Sequence, residues 1–237
     1  MTQIAIKNLH KKFGALDVLS GLDLDITSGG IFAVLGPNGS GKTTLIKCIL
    51  GMVIPDKGDI SIDQHNVLGK WEYRSRLNYL PQIANFPANL TVQELLSMIR
   101  EMRTEESQHQ GLISLFGLEE FLHKKLGHLS GGTKQKVNLV LAFMFDSDLI
   151  ILDEPTTGLD PIALISLKEL IQKEKARGKT IIITTHILSL VEELAEDIVF
   201  LLDGKIYFRG SVAALKGQTD ETNLERAIAK LMTKTHA

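Results

Sequence analysis

IFAVLGPNGSGKTT, residues 31–44, is the stretch on which the reading of the whole chain turns. Ile31 to Leu35 is a short unbroken apolar run, the pattern of a strand buried on both faces. It breaks into glycine, and Leu45, Ile46, Ile49 and Leu50 then follow at helical spacing, with Gly51 as a stop. Between strand and helix, Gly36, Pro37, Asn38, Gly39, Ser40, Gly41, Lys42 and Thr43 match the pattern G-x-x-x-x-G-K-[ST]. Glycines let successive N–H groups turn inward as a concave cradle for phosphate, which a Cβ would obstruct. The same pattern sends Lys42 to the β- and γ-phosphates of a nucleotide and the Thr43 hydroxyl to Mg²⁺. A glycine turn before a helix would need neither the lysine nor the buried strand.

Upstream of this stretch, Ile4 and Ile6, then Leu22, Leu24 and Ile26, alternate with polar neighbours and read as half-buried strands. Downstream, PDKG (55–58) is a turn leading into the strand DISI. The middle of the chain changes character. Thr91 and Glu94 form a capping-box pattern ahead of Leu95, Leu96, Ile99 and Met102. Further helices fit Leu112 to Phe116 and Lys134 to Phe145, and no strand pattern occurs from Ile83 to Phe145. Strands return as LIIL (149–152), TIIITT (180–185) and IVFLL (198–202), separated by helical patterns at 162–175 and 187–194. Such alternation predicts a mostly parallel sheet covered on both faces. Near the end, Thr222 and Glu225 suggest another capping box, with Leu224, Ala227, Ile228 and Leu231 on one helical face.

Two carboxylates, Asp153 and Glu154, stand just past the buried strand at 149–152. At the C-terminal edge of a parallel sheet they face the ligand crevice. There Asp153 suits Mg²⁺, and Glu154 suits accepting a proton from an attacking water. A second anion-binding pattern is LSGGTKQKV (129–137), which reads as the open N-terminus of a helix. His186, ending a strand, Gln82, following YLP, and Phe13, preceding Gly14, are unremarkable taken singly.

A net charge of −2 argues against wholesale coating of nucleic acid. The single cysteine, Cys48, has no internal disulfide partner and falls within an apolar pattern, so it reads as a buried thiol. The longest apolar run, 139–145, is too short to span a bilayer, and the N-terminus lacks a secretory h-region. These features predict a soluble chain that reaches a membrane only by docking onto a protein within it.

Taken together, the motifs resemble those of the ATP-binding cassette (ABC) family, in the family's order and over the chain to about Gly210. The resemblance implies a P-loop NTPase core of class α/β, with an N-terminal antiparallel β-subdomain and a helical insert. It implies residues 1–82 and 146–215 as the ATP-binding core, 83–145 as a helical signature subdomain, and 216–237 as a C-terminal helical tail. By this likeness Phe13 stacks on adenine, Gly36 to Thr44 is the Walker A loop, and Gln82 contacts Mg²⁺ and senses the transport partner. Ser130, Gly131 and Gly132 belong to the signature, with Thr133 where the family usually has glutamine. Asp153 and Glu154 close Walker B, with Glu154 as catalytic base. Gly158, Leu159 and Asp160 match the D-loop, and His186 matches the switch histidine that holds the γ-phosphate.

The family pattern also accounts for two phosphate-binding stretches in one chain. It implies ATP and Mg²⁺ sandwiched between two copies, the P-loop of one facing the signature of the other, with an integral membrane permease as partner. The location implied is cytoplasmic, on the inner face of the cell membrane. TTGLDPIA and the C-terminal helix resemble single-cassette subunits of prokaryotic export or efflux systems, including the copper-processing transporter of nitrous oxide reductase maturation. No nucleic acid is expected. A soluble cassette ATPase acting on DNA or ribosomes is the rival reading, and an unrelated P-loop kinase leaves Ser130 to Gly132 unexplained.

Overall fold

In the computed structural model, which describes residues 2–235, the N-terminal alternation forms two long antiparallel strands, β1 (Thr2–Phe13) and β2 (Leu16–Thr27). Leu22, Leu24 and Ile26 point inward, while Asp23 and Asp25 between them face out. The apolar run is β3 (Gly30–Leu35), buried at every residue. The phosphate-loop helix α1 (Lys42–Ile49) follows, and then β4 (Lys57–Ile62) and the two-residue β5 (His65–Asn66). These complete a four-stranded sheet in the order β2-β1-β4-β5, antiparallel throughout.

After β6 (Leu77–Leu80) come three helices: α2 (Val92–Glu101), α3 (His109–Phe116) and α4 (Gly131–Phe143). The chain then alternates as expected: β7 (Leu149–Asp153), α5 (Pro161–Ala176), β8 (Thr180–Thr185), α6 (Leu188–Leu194) and β9 (Asp197–Leu202). It ends with β10 (Lys205–Gly210), α7 (Val212–Thr219) and α8 (Leu224–Thr235). The second sheet runs β10-β9-β3-β8-β7-β6. All its neighbours are parallel except β10, which returns antiparallel on the edge.

Strand β3 sits inside this sheet, so its alternate residues serve different layers. Phe32 and Val34 pack toward α1 and the antiparallel sheet, whereas Ile31, Ala33 and Leu35 pack toward helices on the opposite face. This two-sided burial explains the unbroken apolar run. The Cys48 thiol on α1 is buried, and that burial pushes its pKa up to about 11.

Several local expectations are corrected. Helix α4 begins at Gly131, not Lys134, because the Ser130 hydroxyl accepts from the Thr133 N–H at 3.2 Å and caps it. The final helix is capped by Asn223 rather than Thr222, its Oδ1 accepting from the Glu225 N–H at 2.7 Å. Met102 follows α2 and is 75 % exposed, off the buried face that Leu95 and Leu96 supply. The capping box of Thr91 and Glu94 is present in both directions. Four elements had no expectation attached, β5, β6, β10 and α7, and α7 runs across the boundary expected at residue 215.

A buried ion pair ties the layers together. Lys179, just ahead of β8, meets Glu174 on α5 with both side chains under a tenth exposed, and also reaches Asp146 at 2.6 Å. The Lys179 contact holds the Asp146 carboxyl below its usual range, so that contribution is present at neutral pH and fades as acid protonates it. Lys179→Met leaves the Glu174 carboxylate buried with only Arg177, at 3.1 Å, to meet it. The expected loss is about 3 kcal/mol of unfolding free energy, read as a lowered urea midpoint with unchanged slope.

Candidate active site

The ends of four neighbouring strands converge on one edge of the parallel sheet. Gly36 follows β3, Gln82 lies two residues past β6, Asp153 closes β7, and His186 follows β8. This C-terminal edge is where open α/β sheets hold ligands.

Gly36 to Gly41 arches from β3 into α1 against the carbonyls of other strands. A Cβ at Gly36 would stand 2.1 Å from the Leu201 carbonyl oxygen, and one at Gly41 2.8 Å from that of Val18. Both residues also hold positive φ, so the loop is closed to side chains by backbone on two sides. Pro37, Asn38 and Gly39 are exposed at the crest, and Thr44 is half-buried in the first helical turn. The Lys42 ammonium folds back across the arch, donating to the carbonyls of Gly36 at 2.8 Å and Pro37 at 3.0 Å. Burial lowers its pKa, opposed by the nearby carboxylates of Glu154 and Asp153.

Asp153 is 1 % exposed and fully engaged. It accepts from the Thr43 hydroxyl at 3.1 Å through Oδ2, and from the Thr184 hydroxyl through Oδ1. Glu154 adopts left-handed backbone geometry at φ +49°. Its N–H donates to the Thr184 carbonyl at 3.0 Å and to the Thr184 hydroxyl at 3.2 Å, which hold this turn in place. Such a conformation costs a non-glycine residue about 1–3 kcal/mol and persists only when its surroundings enforce it. His186 Nδ1 lies 3.0 Å from each carboxylate oxygen of Glu154 and hydrogen-bonds to Oε1. Oε2 is buried without a hydrogen-bond partner. Thr184, central to the orientation of both acids, was missed in the sequence because it reads as one more β-branched strand residue.

The donor set fits a nucleotide with a hard divalent cation. Ser40 Oγ, inside the arch, is buried with no hydrogen-bond partner, and Lys42 is satisfied only by loop carbonyls. Among the described residues no group of three or more His, Cys, Asp or Glu side chains is arranged to enclose a metal ion. A site offering one hydroxyl and one carboxylate suits Mg²⁺, which takes its remaining ligands from phosphate and water.

The second anion-binding pattern lies elsewhere. Ser130 is the cap of α4, and Gly131 and Gly132 form its first turn. A Cβ on Gly132 would meet the Gly158 carbonyl oxygen at 2.5 Å, so the turn lies directly on the loop that leaves Glu154. Asp160 ends that loop, accepting from the Ala163 N–H at 2.9 Å to cap α5 and from Lys136 on α4 at 2.6 Å. Among the described residues no hydrogen bond joins 130–132 to the phosphate arch at 36–44. The structure therefore gathers the expected residues into two groups: the arch with Asp153, Glu154 and His186, and Ser130 to Gly132 with Asp160. Phe13 ends β1, 50 % exposed as a residue, with the Lys11 ammonium 5.3 Å from its ring centroid, and Gln82 is exposed beyond β6.

The family model described as ABC transporter matches residues 19–157, and one described as AAA domain, putative AbiEii toxin, matches 124–192. The Nod factor export ATP-binding protein I of Burkholderia lata is 36% identical over 90% of this chain and 72% of its own length. The lantibiotic transport ATP-binding protein SrtF of Streptococcus pyogenes is 34% identical over 86% of this chain and 88% of its own. A solved ATP-binding subunit of an ABC transporter superposes with a TM-score of 0.90 at 32% identity, covering 98% of this chain and 100% of that one. A nucleotide-free ATP-binding cassette, at 24% identity and a TM-score of 0.79 over 96% and 99%, shares the fold. With its phosphate arch and paired acids in place, the chain belongs to the ABC transporter family as one of its ATP-binding cassettes.

Proposed function

We propose that the chain powers export through a separate membrane permease, by closing on a second copy of itself around two ATP molecules and hydrolysing them. The observation that carries this reading is the split of the phosphate-binding groups. The arch and the Ser130 turn sit on one polypeptide with, among the described residues, no hydrogen bond between them, and a twofold pair would supply each arch with the other copy's turn. The name of the Nod factor export relative supports the direction, and that of the lantibiotic transport relative supports transport.

In this mechanism the arch N–H groups and the Lys42 ammonium hold the β- and γ-phosphates. Thr43, Asp153 and Gln82 would hold Mg²⁺, which when bound offsets charge on the phosphate oxygens. Glu154 Oε2 takes a proton from water as its oxygen bonds to the γ-phosphorus and the bond to ADP breaks. His186 keeps the carboxylate aimed by donating from Nδ1. Phe13 stacks on adenine, and Ser130, Gly131, Gly132 and Asp160 serve the site across the pair.

We assign residues 1–82 and 146–210 to the ATP-binding core, 83–145 to the signature part, and the chain from the Ser211 cap of α7 onward to the C-terminal tail. Between core and signature part lies a groove of about 210 Å³ lined by Met52, Tyr79, Ile99, Arg103 and Phe145. It opens beside exposed Met52 and suits an apolar helix end of the permease. Among the described residues no helix is long and apolar enough to cross a membrane. The pair would work on the inner face of the membrane and bind no nucleic acid. At saturating ATP, hydrolysis per milligram should rise with protein concentration and rise further with permease present. A specific activity constant over a hundredfold dilution, with or without permease, would overturn the reading.

A further inference from the structure

The Ser130 turn contains a hydroxyl pair that decides which way its proton points. Ser130 Oγ accepts from the Thr133 N–H at 3.2 Å, and the same oxygen lies 2.9 Å from Thr133 Oγ1. A Gln or Glu three residues after a serine cap reaches back to the cap's backbone N–H. Thr is too short for that and meets the cap's hydroxyl instead.

A serine hydroxyl has one proton to give and two lone pairs. One lone pair already receives the Thr133 N–H. When Thr133 Oγ1–H fills the second, the Ser130 oxygen accepts nothing further and its own proton is turned outward. The opposite arrangement, with Ser130 donating to Thr133, presents a lone pair to an incoming anion and is disfavoured by repulsion. Hydrogen bonds in such a chain also reinforce one another, so accepting from Thr133 makes Ser130 the stronger donor. Ser130 is exposed and the two residues after it are glycine, which leaves the outward proton an open approach.

We propose that Thr133 is a positioning residue for ATP hydrolysis, its hydroxyl fixing Ser130 as a donor toward the γ-phosphate held by the second copy. The proposal rests on the two-copy reading above. Thr133 itself touches no nucleotide. Its contribution is one oriented hydrogen bond, which corresponds to a change of about fivefold.

The full-length chain with Thr133→Val should show kcat/KM for ATP about fivefold lower, carried by KM, at an unchanged melting temperature. Thr133→Ser should restore the wild-type value. In a Ser130→Ala background, Thr133→Val should change nothing further. An undiminished kcat/KM in Thr133→Val, or an equal loss in the Ser130→Ala background, overturns the role of Thr133. Hydrolysis unaffected by Ser130→Ala alone overturns the two-copy site instead, so the two failures are told apart.

Discussion

Glu154→Gln should lower steady-state ATP hydrolysis by about 10²–10⁴-fold, the range for losing a positioned general base. ATP binding should stay close to the wild-type value. The substitution keeps volume and one carbonyl oxygen, so the bond from His186 Nδ1 survives, while Oε2 is replaced by an amide that cannot take a proton. Its backbone N–H still bonds to Thr184, so the left-handed turn is retained. The contrast between the two effects is the diagnostic part. With chemistry stalled and binding intact, ATP-loaded pairs should accumulate, visible as a shift in mass by light scattering. A variant that hydrolyses ATP at more than a tenth of the wild-type rate would remove Glu154 from the base role.

Lys42→Met should weaken ATP binding. The ammonium spans the arch on two loop carbonyls, ready to exchange them for phosphate oxygens. Losing charge-assisted bonds of this kind lowers ATP affinity by about 10–100-fold, measurable by calorimetry with the magnesium salt. Stability should move the other way. Burial lowers the pKa of this lysine, so the folded chain holds the proton less tightly than the unfolded one. That difference costs stability at neutral pH and is relieved only as alkaline pH strips the ammonium. The methionine variant removes the cost, so its melting temperature should equal or exceed that of the wild type, while a given ATP concentration raises it less. A variant that melts lower and still binds ATP would show that the lysine is a structural strut.

Much of this site was legible because its information is local. The arch needs glycine at set intervals and a lysine at the helix start, and all of it lies within 31–44. The paired acids and the fold class followed from patterns that single strands and helices impose, whereas the role of His186 came only from the resemblance to the family. What escaped depends on neighbours distant in sequence. Thr184 matters through its bonds to Asp153 and Glu154, some 30 residues away. The bridge from Lys136 to Asp160 brings together two helices that no periodicity connects. Strand β6 is four residues long and is recognisable only once β7 lies beside it. The Asn223 cap was missed for a different reason, since Thr222 offers an equally plausible hydroxyl and backbone geometry decides between them.

The placement of Gly36, Asp153 and His186 at the ends of β3, β7 and β8 has a mechanical corollary. Neighbouring strands keep a pitch of about 4.8 Å, and that interval is fixed by a ladder of backbone bonds running the length of each strand. The three positions therefore behave as marks on a ruler and cannot drift apart while the sheet exists. Any stroke that the cassette delivers has to be taken up outside that ladder, by the loop leaving Glu154 and the helices beside the sheet. The sheet is the stator of this engine.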